Sequence, residues 1–354
     1  MNASATVRAS FIRQARMSII APSPIPLHPR PAQDEKLEAF VQVDYIEHRR
    51  RCDEERAADT VVFDVEKNAE IKQIHIENTS EPPSVMDWEE EGTVGTRIKK
   101  MVTIFPYRDP IYLVAIIFLL GSVVLTVNAF LDLIPRAART VISEREEAIV
   151  VPATILAGSI LFFIAGVFDT FGALNADRGT IGTTKLKPDK VVYRPALLGT
   201  PEFKWIPSWT KLWELTMTDL AFQAGLIVLF GGIIFMFGSI LDFPGVVPEE
   251  SPLYASIVFG PQVIHGLLFF IANAMLAYSM QDCWYKPKYL DADWQSSVLN
   301  TIGGFSFMLA GLFLFQRDDT IDGGELKSAS AALVGSWAFL IGSIIRWYVV
   351  LEVW

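Results

Sequence analysis

The sequence predicts an all-α membrane protein: six transmembrane helices, each carrying one short repeated small-xx-Phe-xx-small unit, behind a disordered N-terminal tail. Three observations predict it. Hydrophobic residues make up 51% of the chain and mean hydropathy is +0.33. Six apolar runs lie at about 111–133, 148–172, 218–242, 255–280, 296–315 and 331–352. Each is long enough to cross a hydrocarbon core of roughly 30 Å at about 1.5 Å per residue, and backbone in lipid must satisfy its own hydrogen bonds, which makes such runs helices. The third observation is the repeated unit.

The unit is most complete at Gly335-Ser336-Trp337-Ala338-Phe339-Leu340-Ile341-Gly342-Ser343. Similar stretches run from Gly303 through Phe307 to Gly311, Gly231 through Phe235 to Ser239, and Gly158 through Phe162 to Gly166. Looser ones run from Val114 through Phe118 to Ser122 and from His265 through Phe269 to Asn273. Each has a small second residue, Phe in fifth place, Gly or Ala in eighth, and Gly, Ser or Asn in ninth. Places one, five and eight share a helix face. A ring flanked by small residues suits close antiparallel packing, with the Phe of one helix over the Gly or Ala of its neighbour, because lipid offers no hydrophobic gain on helix association. A unit this short also suggests multiplication of a one- or two-helix element.

Taken in order, residues 1–108 read as a largely disordered cytosolic tail. The start carries Arg8, Arg13, Arg16 and Arg30 without an acidic residue, as a mitochondrial presequence does, but Pro22, Pro24, Pro26, Pro29 and Pro31 disfavour an amphipathic import helix. Residues 33–58 read as a charged helix. The cluster His48-Arg49-Arg50-Arg51 is followed at once by Asp53, Glu54 and Glu55, which marks a solvated face rather than a nucleic-acid patch. Two short strands are expected at Val61–Val65 and Ile71–Ile76. The transmembrane domain then covers 109–354.

Orientation follows from Lys and Arg near the span ends. One side carries thirteen of them (Arg97, Lys99, Lys100, Arg108, seven between 173 and 217, Lys286 and Lys288), the other five (Arg136, Arg139, Arg145, Arg317 and Lys327). Both termini are therefore expected in the cytosol. In the 173–217 loop, Trp205, Trp209 and Trp213 follow an i, i+4, i+8 spacing beside Lys204 and Lys211, an interfacial anchor with membrane lipids as its partner. Pro207 places Trp205 just outside that helix.

Ionisable residues within spans point to sites. Asp169 and Arg346 each stand seven residues beyond their unit's Phe, on helices running the same way, and are expected to form an intramembrane ion pair. His265, Asn273 and Asn128 are candidates to line a cavity. Asp242 reads as a helix end, before Phe243-Pro244-Gly245. Asp282 and Glu352 each stand thirteen beyond a Phe and are the carboxyls that an embedded enzyme would bring together.

No metal or cofactor is predicted: two cysteines, Cys52 and Cys283, and four scattered histidines, His28, His48, His75 and His265, make no ligand set. No nucleophilic triad, phosphate loop or dinucleotide fingerprint occurs, so no catalytic residues are assigned and the reading is non-enzymatic. Two alternatives stand beside it: a small-molecule or ion transporter, and a membrane-embedded enzyme acting on a lipophilic substrate. The partners implied are lipids and other membrane proteins, with no nucleic acid.

Four stretches carry a resemblance: Phe203-Lys204-Trp205-Ile206-Pro207-Ser208-Trp209, Ala221 to Gly245, Pro261 through Pro287, and Gly335 to Tyr348. Together they resemble an uncharacterised family of fungal multi-pass integral membrane proteins, over roughly 105–354. The last helices are also similar to the small YrhK-like membrane domain. The resemblance implies a fold and a fungal source, and carries no site residues.

Overall fold

Each of the six apolar runs forms one helix. In the computed structural model, which describes residues 3–20, 94–138, 144–184, 187–248, 250–281, 283, 285–315, 323–351 and 354, the elements follow in this order. Helix α1 is Ala3–Ile20 and α2 is Val94–Thr103; the first two spans are α3, Pro110–Ala138, and α4, Glu144–Leu174. A 3-10 turn (Ala176–Arg178) leads into an antiparallel hairpin, β1 Thr180–Thr184 and β2 Lys187–Arg194. Then come α5, Trp209–Thr218, and the remaining spans α6 Leu220–Leu241, α7 Tyr254–Ser279, α8 Ala292–Phe315 and α9 Gly323–Val350. The chain is a six-span, helical, multi-pass membrane protein by the length and apolarity of these helices.

Local sequence sets the ends. Asp109 caps α3 by accepting from the Ile111 N–H, and Pro110 takes the first helical position, where a missing N–H costs nothing. Ser208 starts α5 by accepting from Lys211 N, so α5 begins at Trp209 and leaves Trp205 outside it. Asp219 ends α5 with its own N–H to Leu215 and starts α6 by accepting from Phe222 N. Beyond α6 the chain turns through Gly245, whose φ of +81° favours glycine.

The spans close into a ring in the order α3, α4, α6, α7, α8, α9 and back to α3. Connections between successive spans make every neighbour antiparallel. The end carrying α1, the hairpin and α5 is called basal, the other distal. At the ring's centre the six unit phenylalanines meet, all between 1 and 7% exposed: Phe118, Phe162, Phe235, Phe269, Phe307 and Phe339. Phe162 stacks on Phe118 with centroids 4.3 Å apart and meets Phe235, Phe269 and Phe339; Phe307 stacks on Phe339 at 5.6 Å. Ninth-place side chains bond back to these residues' carbonyls: Ser122 to Phe118, Ser239 to Phe235, Asn273 to Phe269 and Ser343 to Phe339.

Two kinds of contact alternate around the ring. Where α6 meets α7 and α8 meets α9, first-place glycines lie under rings: Gly231 under Phe269, Gly303 under Phe339 and Gly335 under Phe307. At α3 and α4 the eighth-place Gly121 lies under Phe162. The other seams use the small second place against backbone. Gly232 faces Phe163 between α4 and α6, while Gly266 faces Met308 and Gly304 faces Phe270 between α7 and α8. Between α9 and α3, Ser336 donates to the Leu125 carbonyl. The packing expected of the unit is present, ring over notch.

Outward faces are apolar and exposed, as lipid requires: Val123 and Val127 on α3, Phe230 and Phe237 on α6, Ile264 and Ile271 on α7, Trp337 and Ile344 on α9. Because rings, not lipid, fill the centre, Phe162→Ala is expected to destabilise the bundle by about 3 kcal/mol in thermal unfolding of the detergent-solubilised protein, and Phe162→Leu by less.

The N-terminal expectation needs correction. Residues 3–20 are helical rather than tail. Ala3 and Val7, with Ser4, Arg8 and Ile12, recur at i, i+4, i+8 and are buried against α4, α6 and β2. The prolines that argued against a helix begin only at Pro22, past its end. Helix α2 also forms inside the expected tail. The strands expected at 61–65 and 71–76, the helix at 33–58 and the basic cluster at 48–51 lie outside the described residues, as do Asp282 and Glu352.

Candidate functional site

At its distal end the ring opens into a cavity of about 300 Å³ that stops at the aromatic centre. Its floor is Phe235, Phe307 and His265. Its walls carry Asn128, Asp132 and Arg136 from α3, Asp242 at the end of α6, Tyr254 and Gln262 from α7, and Glu325 from α9. The apolar core positions these groups, which line the cavity from the ring's Phe layer to about five turns distal of it.

Three carboxylates and one guanidinium line the cavity, an excess of two negative charges when all are ionised. Arg136 is spanned by two of the acids, Asp132 at 2.9 Å and Glu325. Asp242 has no ion pair or side-chain hydrogen bond among the described residues. Burial, and then the neighbouring Asp132 charge, push its carboxyl up to about 6.

His265 is 2% exposed and stacks flat on Phe235, centroids 4.1 Å apart. Its Nδ1 lies 3.2 Å from the Pro261 carbonyl, which can only accept, so Nδ1 carries the hydrogen. In the neutral ring Nε2 is therefore an acceptor, and no described residue donates to it. Asn128 gives both amide hydrogens away, to the Val151 carbonyl at 2.8 Å and Thr154 Oγ1 at 2.9 Å, leaving Oδ1 as a further acceptor. The cavity thus presents Asp242, His265 Nε2 and Asn128 Oδ1: acceptors without protein donors.

Helix α1 puts its N-terminus on Asp169, whose Oδ2 accepts from Ala3 N at 3.0 Å, while Oδ1 accepts from Ser4 N at 2.9 Å and Ser4 Oγ at 2.5 Å. A carboxylate there offsets both the unpaired N–H groups and the helix dipole. One turn further on, Arg8 clasps Asp109 through two hydrogen bonds, 2.6 and 2.8 Å, with neither side chain more than 5% exposed. Trp354 Nε1 also donates to Asp109, at 3.1 Å. The Tyr193 ring lies 5.7 Å from the Arg8 guanidinium and its hydroxyl donates to the Ala176 carbonyl.

The expected pair of Asp169 with Arg346 is not formed. Asp169 faces α1, and Arg346, fully buried, reaches along α8 toward the basal face to pair with Asp293 and to donate to Ser297 Oγ at 3.3 Å. An acid two turns nearer the membrane surface lets the long side chain reach a more polar level, which a pair at mid-depth would not. Of the cavity candidates, His265 and Asn128 line the distal space; Asn273 sits one turn basal of Phe269, with Nδ2 donating to its carbonyl. Further basal, the buried Asn300 amide has no hydrogen-bond partner; Ser122 and Ser343, which also hold the Phe118 and Phe339 carbonyls, bond across α3 and α9 at the level of the rings, 3.0 Å apart. A polar layer therefore lies on each side of the aromatic centre.

Trp209 and Trp213 project from one exposed face of α5, at 83% and 67% exposure, as an interfacial belt requires, while Trp205 packs edge-on against Phe171 and Phe203. Among the described residues no cluster of His, Cys, Asp and Glu has metal-site geometry. Sequence reasoning missed Asp132, Arg136 and Glu325. Asp132 and Arg136 stand four apart at the very end of the first apolar run, a signal for an inward-facing pair at a span's mouth. Comparison with family models, curated proteins and solved structures finds no match to this chain.

Proposed function

We propose that this protein is a small-solute carrier of the membrane, binding its solute in the distal cavity. The single observation that carries the reading is the cavity itself: a polar space leading from one face of a six-helix ring to its middle, ending on a stacked His–Phe floor. A bundle selected only for packing has no use for an open space in its interior lined by Asp242, His265 Nε2 and Asn128 Oδ1, acceptors that face the space and not a protein donor. The second polar layer, basal of the phenylalanines, supports passage rather than binding alone. Between the two, the aromatic centre is a hydrophobic barrier that side-chain rotation can open.

In the proposed orientation both termini are cytosolic, so the cavity faces away from the cytosol. The shared nine-residue pattern, with seams alternating between two contact types, supports descent from a multiplied two-helix unit, an origin common among carriers.

The test is a comparison of small molecules inside and outside cells that make or lack the protein, followed by flux into proteoliposomes. A compound moved across the membrane with its total amount unchanged is the expected result. A compound consumed or newly formed favours the embedded-enzyme alternative and overturns the carrier reading, as does an unchanged distribution.

A further inference from the structure

Resting on that reading, we infer that the distal cavity is a site for a small protonated amine: the ammonium group is held by Asp242, His265 Nε2 and Asn128 Oδ1, and its organic body lies against Phe235 and Phe307.

The argument is a match of donors to acceptors. Asp242, His265 Nε2 and Asn128 Oδ1 accept hydrogen bonds and have no protein donor among the described residues, and one of them is a carboxylate. The cavity carries two net negative charges, while Gln262 and Ser328 add uncharged groups that can donate as well as accept. A ligand that satisfies them must bring several N–H or O–H donors and a positive charge, which a primary ammonium does with three donors on one atom. An anion would meet three carboxylates with the only guanidinium already engaged by two of them. A neutral alcohol brings one donor for three acceptors. The floor adds the second half of the match, since phenylalanine faces attract a desolvated cation and pack against a hydrocarbon body.

Size narrows the class. About 300 Å³ corresponds to roughly ten water volumes, hence to an amine of up to about ten non-hydrogen atoms. Bare metal ions fit poorly. Asp242, His265 and Asn128 supply one anionic ligand, and no metal-like cluster forms among the described residues.

Position matters as much as identity. His265 is fixed in one orientation by the stack on Phe235 and by the Pro261 carbonyl, so Nε2 needs no reordering to accept. Among the described residues, the charged groups around Asp242 are Asp132 and Arg136 from α3 and Glu325 from α9, with Tyr254 and His265 as the titratable groups on α7. Since Asp242 loses its charge as the pH falls through about 6, amine capture weakens below that pH.

The experiment titrates the full-length protein in detergent, at pH 7.5, with phenethylammonium, its neutral isostere 2-phenylethanol, phenylacetate and potassium chloride. Phenethylammonium is expected to bind at least tenfold more tightly than 2-phenylethanol, with phenylacetate not binding and potassium not competing at millimolar concentration. Asp242→Asn is expected to lower amine affinity at least tenfold and to erase the preference over the alcohol; Glu214→Gln, on α5 at the other face, is expected to leave both unchanged. If Asp242→Asn does not fold, His265→Phe keeps the stack and removes Nε2, and is expected to weaken the amine three- to tenfold. Equal binding of alcohol or carboxylate, full competition by potassium, or an unchanged affinity in a folded Asp242→Asn each overturns the inference. The carrier reading fails separately. An amine that binds but never crosses a proteoliposome membrane sinks transport and keeps the site; flux of a neutral or anionic solute keeps transport and sinks the amine.

Discussion

Arg8→Met is expected to release α1 from the bundle. In the native chain the Arg8 guanidinium and the Asp109 carboxylate are both buried and doubly hydrogen-bonded. Removing the cation leaves Asp109 with only the Ile111 N–H and the Trp354 indole, an uncompensated buried charge that costs about 3–5 kcal/mol. That exceeds what the small apolar face of Ala3, Val7 and Ile12 supplies on its own. Amides of residues 3–20 are therefore expected to exchange with solvent about a hundredfold faster or more, while those of the spans are unchanged. Adding Asp109→Asn removes the stranded charge and keeps the cap on α3, so the double variant should recover most of the docking. Equal exchange rates in wild type and Arg8→Met would mean that the ion pair does not hold α1.

Gly304→Ala is expected to separate α7 from α8. A methyl group at Gly304 meets the Phe269 carbonyl carbon at 2.8 Å and the Phe270 backbone nitrogen closer still, and Gly266 is pressed against Met308 in the same manner. Backbone cannot yield as a side chain can, so the two helices must move apart along the tightest seam of the ring. The expected loss is about 3 kcal/mol in thermal or denaturant unfolding, the upper end of the overpacking range, and more for Gly304→Val. Gly95→Ala is the control. It lies on the exposed helix α2, nothing stands within 4 Å of the added methyl, and the better helix former is expected to be neutral or to stabilise by up to about 1 kcal/mol. Similar melting of both alanine variants would refute close backbone packing at this seam.

What could be read in the chain was what is periodic and local. The spans and the meeting of Phe118, Phe162, Phe235, Phe269, Phe307 and Phe339 follow from apolar run length and a nine-residue pattern, both visible within one helix. Partners distant in sequence were not visible. Asp169 finds Ser4, 165 residues away, and no spacing rule reaches that far. Arg346 pairs with Asp293, which stands three residues before the expected start of its span and so looked solvated. Helix α2 was hidden by Arg97, Lys99 and Lys100, although Val94, Ile98 and Val102 form an exposed apolar stripe at i, i+4, i+8 beside them. Of the cavity, His265 and Asn128 were legible because a polar residue within a span is conspicuous. Asp242 was dismissed as a helix end because its only sign was the turn that follows it.

The antiparallel order of the ring has an electrical consequence. Each face of the bundle gathers three helix N-termini and three C-termini, alternating around the axis, so the macrodipoles of the spans largely cancel along it. Many membrane sites draw ions with converging helix ends; this one has no such field to draw on. Among the described residues, the side-chain charges that an approaching ion meets at the distal mouth are those of Asp132, Asp242 and Glu325 set against Arg136. Replacing one of those acids by lysine brings the excess of two negative charges to zero without touching the scaffold that surrounds it.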